Sequence, residues 1–280
     1  MSVAEPPYPV ETRPVEFRVE ALCKAFDGRP VLSGIDLELR RGSFVALVGG
    51  SGCGKTVLLN HILGLMAPDS GRVLVACGAG REAPLADLAG LSPAARQAVY
   101  SRWGVVFQRN ALFSGSVDDN LRLGLREVRG LDDWRAGRVA ARVLAAVALP
   151  TDEDFLATPV HRLSGGMAKR LAVARALALD PVCLVYDEPT TGLDPVTAAQ
   201  IQDLLLAAHL ARRPDGQRRT TVVVTHDKDL LARLQPRVVM LHEGRVFYDG
   251  PFAAFRAAPS PIIRPYFERM PALQGGAAAD

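Results

Sequence analysis

Hydrophobic and polar residues follow two different patterns along this chain. In residues 15–20 apolar and charged side chains alternate, and this period of two predicts a strand with one buried face. Residues 44–48, 182–186 and 221–224 are instead almost entirely apolar, as strands buried on both faces of a parallel sheet usually are. Together the two patterns predict an α/β core preceded by an antiparallel sheet.

The segments between and beyond these strands indicate how the chain is divided. Residues 110–165 are rich in Ala, Leu and Arg at helical spacing, with breaks at Gly130, Pro150 and Pro159. We interpret them as a helical subdomain inserted into a domain of residues 15–250. Residues 1–14, rich in proline and acidic side chains, predict a flexible N-terminal tail, and the Pro- and Ala-rich residues 251–280 predict a C-terminal extension with a frayed tip.

Composition narrows the class of protein. A chain of 280 residues with 49% hydrophobic content can bury one sizeable core with a smaller lobe. Its four cysteines form no C-x-x-C pair, so we expect a reducing cytosol and neither disulfides nor zinc. A net charge of +3 is too small to indicate a nucleic-acid partner. No apolar run approaches the roughly 20 residues that cross a bilayer, and the N-terminus lacks a secretory layout, so any membrane role is expected to come through another chain.

A glycine-rich loop follows the predicted strand at residues 44–48. It matches the pattern G-x-x-x-x-G-K-[ST] and precedes a helix-like segment; its residues are Gly49, Gly50, Ser51, Gly52, Cys53, Gly54, Lys55 and Thr56. Glycines let successive N–H groups face one phosphate, and the following helix N-terminus adds about half a positive charge. Lys55 adds a mobile cation and Thr56 a hydroxyl for Mg²⁺. The loop predicts a nucleotide phosphate site, and the alternative is a chance glycine-rich turn.

Two carboxylates, Asp187 and Glu188, end the apolar strand at residues 182–186. Ligands of open α/β sheets bind at the edge where the parallel strands end. Asp187 is therefore a candidate for holding Mg²⁺, and Glu188 for orienting or deprotonating the attacking water. The alternative is a solvated acidic turn before Pro189.

Two further segments complete a recognisable set of motifs. Residues 163–167 read LSGGM, and residues 190–195, which include Asp194, read TTGLDP. With the phosphate loop and the paired carboxylates, they resemble the ABC ATPase family over residues 15–250. The resemblance implies a P-loop NTPase (RecA-like) core with an antiparallel β subdomain and an inserted helical subdomain. It also implies hydrolysis of ATP with Mg²⁺ as cofactor.

The family resemblance assigns further residues to the ATP site. It implies a head-to-tail dimer in which Ser164, Gly165 and Gly166 of one copy close over ATP held by the loop of the other. Asp194 is carried over as a nucleotide-site residue. Residues 168–179 are expected to form the helix after the Ser-Gly-Gly turn, whose unpaired N–H groups suit a γ-phosphate. By itself the motif could be an ordinary helix N-cap.

Three other residues match family positions. Gln108 corresponds to the glutamine that reaches Mg²⁺ and the attacking water, His226 to the histidine that senses the γ-phosphate, and Phe26 to the aromatic ring under adenine. Without the surrounding motifs, they would be a solvated turn residue, a structural histidine and a strand-end aromatic. Met167 stands where the family usually has Gln, which leaves the backbone cradle unchanged.

Within the family, the chain resembles the MlaF-type ATPases of lipid-asymmetry and Mce transport systems. The segments that carry this resemblance are residues 107–113, 119–121, 163–170 and 262–267. That branch implies a permease of the MlaE type on a separate chain, an Mce-domain protein complex, and phospholipid as cargo. A small regulatory subunit on the helical subdomain is a further possible partner. The chain is then expected at the cytoplasmic face of the inner membrane as a peripheral subunit, with residues 111–129 against the permease.

Three alternatives stay open. A soluble ABC protein acting on DNA or ribosomes is disfavoured, because Lys55 and Ser164 are too close in the chain for a long coiled-coil arm and because there is only one motif set. A non-hydrolysing scaffold is disfavoured by the presence of Glu188, Gln108 and His226. The third alternative is a transporter motor for another cargo, such as an amino acid, a lipoprotein or a metal chelate. The sequence of this chain does little to exclude it, because the membrane subunit selects the cargo.

Overall fold

The computed structural model describes residues 13–78 and 83–270. Most of the predicted N-terminal tail, residues 1–12, and the predicted frayed tip within residues 271–280 lie outside the described residues. The strands in the described ranges are β1 (Val15–Phe26), β2 (Arg29–Arg40), β3 (Phe44–Gly49), β4 (Ser70–Ala76), β5 (Leu85–Asp87), β6 (Trp103–Val106), β7 (Cys183–Asp187), β8 (Thr220–Val224), β9 (Arg237–His242) and β10 (Arg245–Pro251).

The helices in the same ranges are α1 (Lys55–Ile62), α2 (Pro93–Tyr100), α3 (Val117–Glu127), α4 (Asp133–Ala146), α5 (Glu153–Leu156), α6 (Gly165–Ala178), α7 (Pro195–Leu210), α8 (Lys228–Leu234), α9 (Phe252–Ala257) and α10 (Ile263–Arg269). Across the described part of the chain, none of them is long and apolar enough to cross a bilayer. The chain divides into two compact units. Of the described residues, those from 13 to 99 and from 236 to 266 form the first unit, and those from 100 to 235 and from 267 to 270 form the second.

The first unit contains the predicted antiparallel sheet. Its strand order is β2-β1-β4-β5, and all its pairs are antiparallel. One face is apolar and buried, with Phe17, Leu22 and Ile35 fully enclosed. The same unit holds β3 in parallel register with β9, and β10 antiparallel to β9. This arrangement places the end of β3, and so the start of the glycine-rich loop, beside Leu241.

Strand β1 is twice as long as the alternating pattern predicted. It continues past Glu20 to Phe26, beyond a bulge at Ala21, whose backbone is left-handed with φ of 46°. The register shifts between Val19 and Leu22, and the N–H of Ala21 donates to Asp36 Oδ1 at 2.8 Å. Such a bulge breaks the period of two, so alternation identified only the first half of the strand.

The second unit is built on a parallel sheet of β8, β7 and β6 in that order. Strands β7 and β8 are almost completely buried, as their apolar composition predicted. Helix α6 packs against β6 and against α3 and α4. Serine and aspartate side chains cap the helices of this unit: Ser116 forms a capping box with Asp119 at α3, and Asp132 caps α4.

Candidate functional site

The glycine-rich loop joins β3 to α1 in the first unit. Gly49 has φ of 149°, and a Cβ atom there would lie 2.4 Å from the carbonyl oxygen of Leu241. Gly54 has φ of 101°, and its Cβ would lie 2.7 Å from Leu32 Cδ2. Neither position accepts a side chain without movement of its neighbours. Glycine at these two positions therefore allows the loop to pack closely against Leu241 and Leu32.

Lys55 folds back over this loop. Its Nζ atom donates to the carbonyl oxygens of Gly49 at 2.8 Å and Gly50 at 2.9 Å, and lies 3.9 Å from Cys53 Sγ. Thr56, in the first turn of α1, is exposed. A cation, the first N–H groups of a helix and an accessible hydroxyl are thus gathered at one helix N-terminus, which is chemistry suited to a phosphate.

Phe26, the proposed adenine-stacking residue, is the last residue of β1 in the same unit. Its ring is 41% exposed, and Lys24 Nζ lies 5.6 Å from the ring centroid. Phe26 is therefore accessible for stacking.

In the second unit, Glu188 follows the last residue of β7. Its backbone is left-handed, with φ of 46°, and its N–H donates to the carbonyl oxygen of Val224 at 2.9 Å. Its Oε1 atom lies 2.8 Å from His226 Nδ1, and its Oε2 atom accepts from Thr191 Oγ1 at 3.3 Å. The structure therefore brings Glu188 and His226 together, with both carboxylate oxygens oriented by neighbours.

Asp187 and Gln108 lie at the same edge of the parallel sheet. Asp187 ends β7 and pairs with Val224 of β8, while Gln108 comes two residues after the end of neighbouring β6. Lys169 Nζ donates to the carbonyl oxygens of Gln108 at 3.0 Å and Phe107 at 3.3 Å. The backbone of Gln108 is therefore tied to α6.

Sequence reasoning missed Lys169, which precedes Arg170 in α6 and lies on the buried side of that helix. The side chain is only 2% exposed. Burial lowers the pKa of its ammonium group below the ordinary value, and the negative charge of Asp187 partly offsets this effect. A lysine among the buried positions of a helix was the available signal, because such a group needs polar partners.

The helix after the Ser-Gly-Gly motif begins earlier than expected. The predicted helix covered residues 168–179, whereas α6 begins at Gly165 and ends at Ala178. Ser164 is its N-cap, and its Oγ accepts the N–H of Met167 at 3.2 Å. The low helix propensity of glycine made the first turn look like a loop, but a serine N-cap is the signal that would have located the start.

Asp194 is the N-cap of α7. Its Oδ1 atom accepts the N–H groups of Thr197 at 3.0 Å and Val196 at 3.1 Å. Hydrogen bonds, chiefly from the side chain and backbone of Thr197, lower the pKa of this carboxyl. In the structure, Asp194 therefore stabilises the start of a helix, a role that the sequence analysis did not assign to it.

A buried carboxylate next to His226 was also missed. Asp227 is 5% exposed and accepts four hydrogen bonds. Thr190 Oγ1 and Gln202 Nε2 donate to Oδ2 at 2.8 and 3.0 Å, and the N–H groups of Asp229 and Leu230 donate to Oδ1 at 2.9 and 3.0 Å. Asp227 therefore joins the loop after Glu188 to the segment that carries His226.

Comparison with known proteins supports the resemblance. The sequence model described as ABC transporter matches residues 32–191. The sulfate/thiosulfate import ATP-binding protein CysA of Xylella fastidiosa (strain 9a5c) is 37% identical over 265 residues, which cover 94% of this chain and 71% of that protein. The chloroplastic protein TRIGALACTOSYLDIACYLGLYCEROL 3 of Arabidopsis thaliana is 34% identical over 257 residues, which cover 87% of this chain and 70% of that protein.

Solved structures agree with the predicted fold class. The dimeric post-hydrolysis structure of the ATP-binding cassette MJ0796, bound to ADP and Pi, matches with a TM-score of 0.71 and 28% identity, covering 84% of this chain and 98% of that one. The prediction of an ABC ATPase nucleotide-binding domain is thereby confirmed. This chain therefore belongs to the ABC transporter family, as an ATP-binding subunit with the ATPase activity of that family.

Proposed function

We propose that this chain is the motor subunit of a transporter that moves phospholipid between membranes, as in MlaF-type systems. In this proposal it is peripheral, bound at the cytoplasmic face of the inner membrane to a permease on a separate chain. The observation that carries the catalytic part is the pairing of Glu188 with His226. The cargo rests on the sequence resemblance.

In the proposed site, residues 49–56 bind the phosphates of ATP through backbone N–H groups and Lys55. The Thr56 hydroxyl, the Asp187 carboxylate and the Gln108 side chain offer oxygen donors, which is the donor chemistry that Mg²⁺ takes. The bound metal would offset charge on the β- and γ-phosphates. Phe26 stacks on the adenine in this account, and its exposed ring permits that role.

Glu188 is proposed to orient and deprotonate the attacking water. Its carboxylate is mostly enclosed, with a side chain 13% exposed, whereas that of His226 is 46% exposed. His226 Nδ1 and Thr191 Oγ1 each contact a different carboxylate oxygen, so the carboxylate is oriented before water arrives. His226 also presents the rest of its ring to solvent, where it could meet a γ-phosphate.

The active form is proposed to be a head-to-tail dimer. Ser164 and Gly165 are exposed at the N-terminus of α6, so this helix end is accessible to a phosphate on a second copy. Asp194 would contribute nearby from the N-terminus of α7. The dimeric MJ0796 cassette with ADP and Pi supports this arrangement by similarity.

Two observations support a lipid cargo and a membrane partner. One relative carries the name of a diacylglycerol glycolipid, trigalactosyldiacylglycerol. In residues 111–129, the proposed permease contact, the apolar residues Phe113, Leu123 and Val128 are 52%, 46% and 43% exposed, so they are available to a protein partner. CysA, named for sulfate and thiosulfate, represents the competing possibility of another cargo.

Co-purification tests this proposal. Tagged Glu188→Gln protein would be isolated from mildly solubilised membranes of its own host with and without ATP, and partners and lipids identified by mass spectrometry. Lys55→Ala protein provides the matched control that is expected not to form the ATP-dependent complex. We expect an MlaE-like permease, an Mce-domain protein and phospholipid. A permease of another type would contradict the lipid cargo, and recovery of only ribosomal or DNA-binding proteins would contradict the transporter assignment.

A further inference from the structure

Tyr266 of α10 contacts the first residue of the glycine-rich loop, 217 positions earlier in the chain. The N–H of Gly49 donates to the Tyr266 hydroxyl oxygen at 2.9 Å, and that hydroxyl lies 3.2 Å from the carbonyl oxygen of Gly49 as a donor. Both residues belong to the first unit. One side-chain hydroxyl therefore contacts both polar groups of a single loop residue.

The backbone of Gly49 depends on its hydrogen-bond partners. It is buried, so its N–H needs a partner within the protein. Its carbonyl oxygen is shared between Tyr266 and Lys55 Nζ, which lies at 2.8 Å. Contacts at Gly49 therefore influence both the backbone where the loop begins and the cation that lies over it.

The tyrosine is held in place by its own helix. Ser260 Oγ accepts the N–H groups of Ile262 at 3.2 Å and Ile263 at 3.3 Å, which stabilises the start of α10. Ile263 is 3% exposed and anchors the helix in the core. The turn of α10 that carries the hydroxyl to Gly49 is therefore held by contacts of its own.

We propose that Tyr266 is a positioning residue for the phosphate loop, so that α10 forms part of the ATP-binding apparatus. By engaging both polar groups of Gly49, it holds the first peptide of the loop in the conformation that receives nucleotide. Displacement of α10 would then weaken ATP binding without touching the groups that hydrolyse it. This inference rests on the proposed role of residues 49–56 in binding phosphate.

The test compares Tyr266→Phe with Tyr248→Phe. Tyr248 also donates a hydroxyl hydrogen bond to a backbone carbonyl, that of Pro251 at 3.0 Å, within the same unit. Affinity for ATP would be measured by fluorescent-nucleotide competition, and kcat and KM by phosphate release. We expect Tyr266→Phe to raise the dissociation constant and KM for ATP about tenfold, with kcat within about twofold of wild type. Tyr248→Phe should change neither.

A second variant and a second measurement keep the test decisive. Ser260→Ala weakens the start of α10 and keeps Tyr266, and should raise the dissociation constant by a smaller factor, about threefold. Hydrogen exchange at the Gly49 amide should accelerate in Tyr266→Phe but not in Tyr248→Phe. The inference is overturned if Tyr266→Phe binds ATP as tightly as Tyr248→Phe. If Tyr266→Phe does not fold, an unchanged affinity for ATP in Ser260→Ala overturns it instead.

Lys55→Ala distinguishes a failure of the phosphate-binding role of residues 49–56 from a failure of the role of Tyr266. If Lys55→Ala binds ATP normally, the assignment of residues 49–56 to phosphate binding fails, and the role of Tyr266 fails with it. If Lys55→Ala loses ATP while Tyr266→Phe retains full affinity, only the role of Tyr266 is contradicted.

Discussion

The Nδ1 atom of His226 lies 2.8 Å from Oε1 of Glu188, across 38 positions of sequence. Each residue follows a neighbouring parallel strand, Glu188 after β7 and His226 after β8. The left-handed backbone at Glu188 and its N–H bond to Val224 turn the carboxylate toward β8. A strained conformation at this position is consistent with a functional constraint.

This contact predicts that His226→Ala lowers kcat for ATP hydrolysis by at least about tenfold, with little change in KM. In the proposed mechanism the histidine orients the carboxylate and contributes to the reacting state, while the substitution leaves residues 49–56 unaltered. Steady-state phosphate release measures the effect. The control is His242→Ala, because His242 is a half-exposed residue that ends β9. Equal kcat values for the two variants would argue against a role of His226.

The hydrogen bonds from Lys169 to the backbone before α3, which we call the Lys169 tether, predict a change in activity with little change in fold. Lys169→Met keeps an unbranched side chain, one atom shorter, and removes the donor to the carbonyls of Phe107 and Gln108. We expect kcat to fall about tenfold, because Gln108 is less well positioned, while the thermal unfolding midpoint stays near that of wild type. Lys169→Arg, which also donates, should recover most of the activity. A fully active Lys169→Met would refute the tether.

The lowered pKa of Lys169 also predicts a pH effect on stability. Between the folded-state pKa and the ordinary value of 10.5, the unfolded chain binds more protons at this residue than the folded chain. The contribution of Lys169 to the free energy of unfolding therefore rises with pH in that window. Urea denaturation at pH 7 and at pH 10 should show a larger alkaline gain for wild type than for Lys169→Met. Identical pH dependence would contradict the burial of a charged ammonium.

The hydrogen bonds to Asp227 predict a loss of stability. In Asp227→Asn, the amide nitrogen faces donors in either orientation, so two of the four donors lose their acceptor. We expect the free energy of unfolding to fall by about 2 kcal/mol. Asp152→Asn is the control, because Asp152 caps α5 through one backbone N–H and asparagine caps equally well. Urea denaturation that ranks the two variants alike would contradict this account.

Neighbouring glycines of the loop should respond differently to alanine. In Gly49→Ala the new Cβ would meet Leu241 O at 2.4 Å and Cys53 Sγ at 2.6 Å, whereas no atom lies within 4 Å of a Cβ at Gly50. We expect Gly49→Ala to lower the free energy of unfolding by about 3 kcal/mol or more, and Gly50→Ala to change it by less than about 1 kcal/mol. Thermal unfolding that finds both equally stable would argue against the tight packing of Gly49.

Features carried by neighbouring residues in the chain were the most predictable. The places of the glycine-rich loop, Asp187 and Glu188 at the ends of strands were predicted because each motif is contiguous and follows an apolar run. The contacts of Lys169, Asp227 and Tyr266 were not, because each joins positions that are far apart, 61 for Lys169 and Gln108 and 217 for Tyr266 and Gly49. A single sequence carries no signal for such pairs beyond the presence of a polar residue where burial is expected.

The ends of strands and helices were predicted wrongly where the local backbone departs from a regular pattern. The bulge at Ala21 hid the second half of β1, since it disrupts the alternation that identifies a strand. At α6 the two glycines hid the first helical turn, because their propensity is poor although the Ser164 cap is strong.

The proposed role of Glu188 predicts that Glu188→Gln binds ATP but does not hydrolyse it. The substitution keeps the size of the side chain, and Asp187 and residues 49–56 are unchanged, so ATP binding should persist. Steady-state phosphate release should fall at least about a hundredfold, and size-exclusion chromatography should show a dimer that forms with ATP and persists. Glu127→Gln, an exposed carboxylate at the end of α3, should hydrolyse ATP normally. If Glu188→Gln turns over ATP at the wild-type rate, Glu188 is not the catalytic carboxylate and the proposed mechanism is wrong.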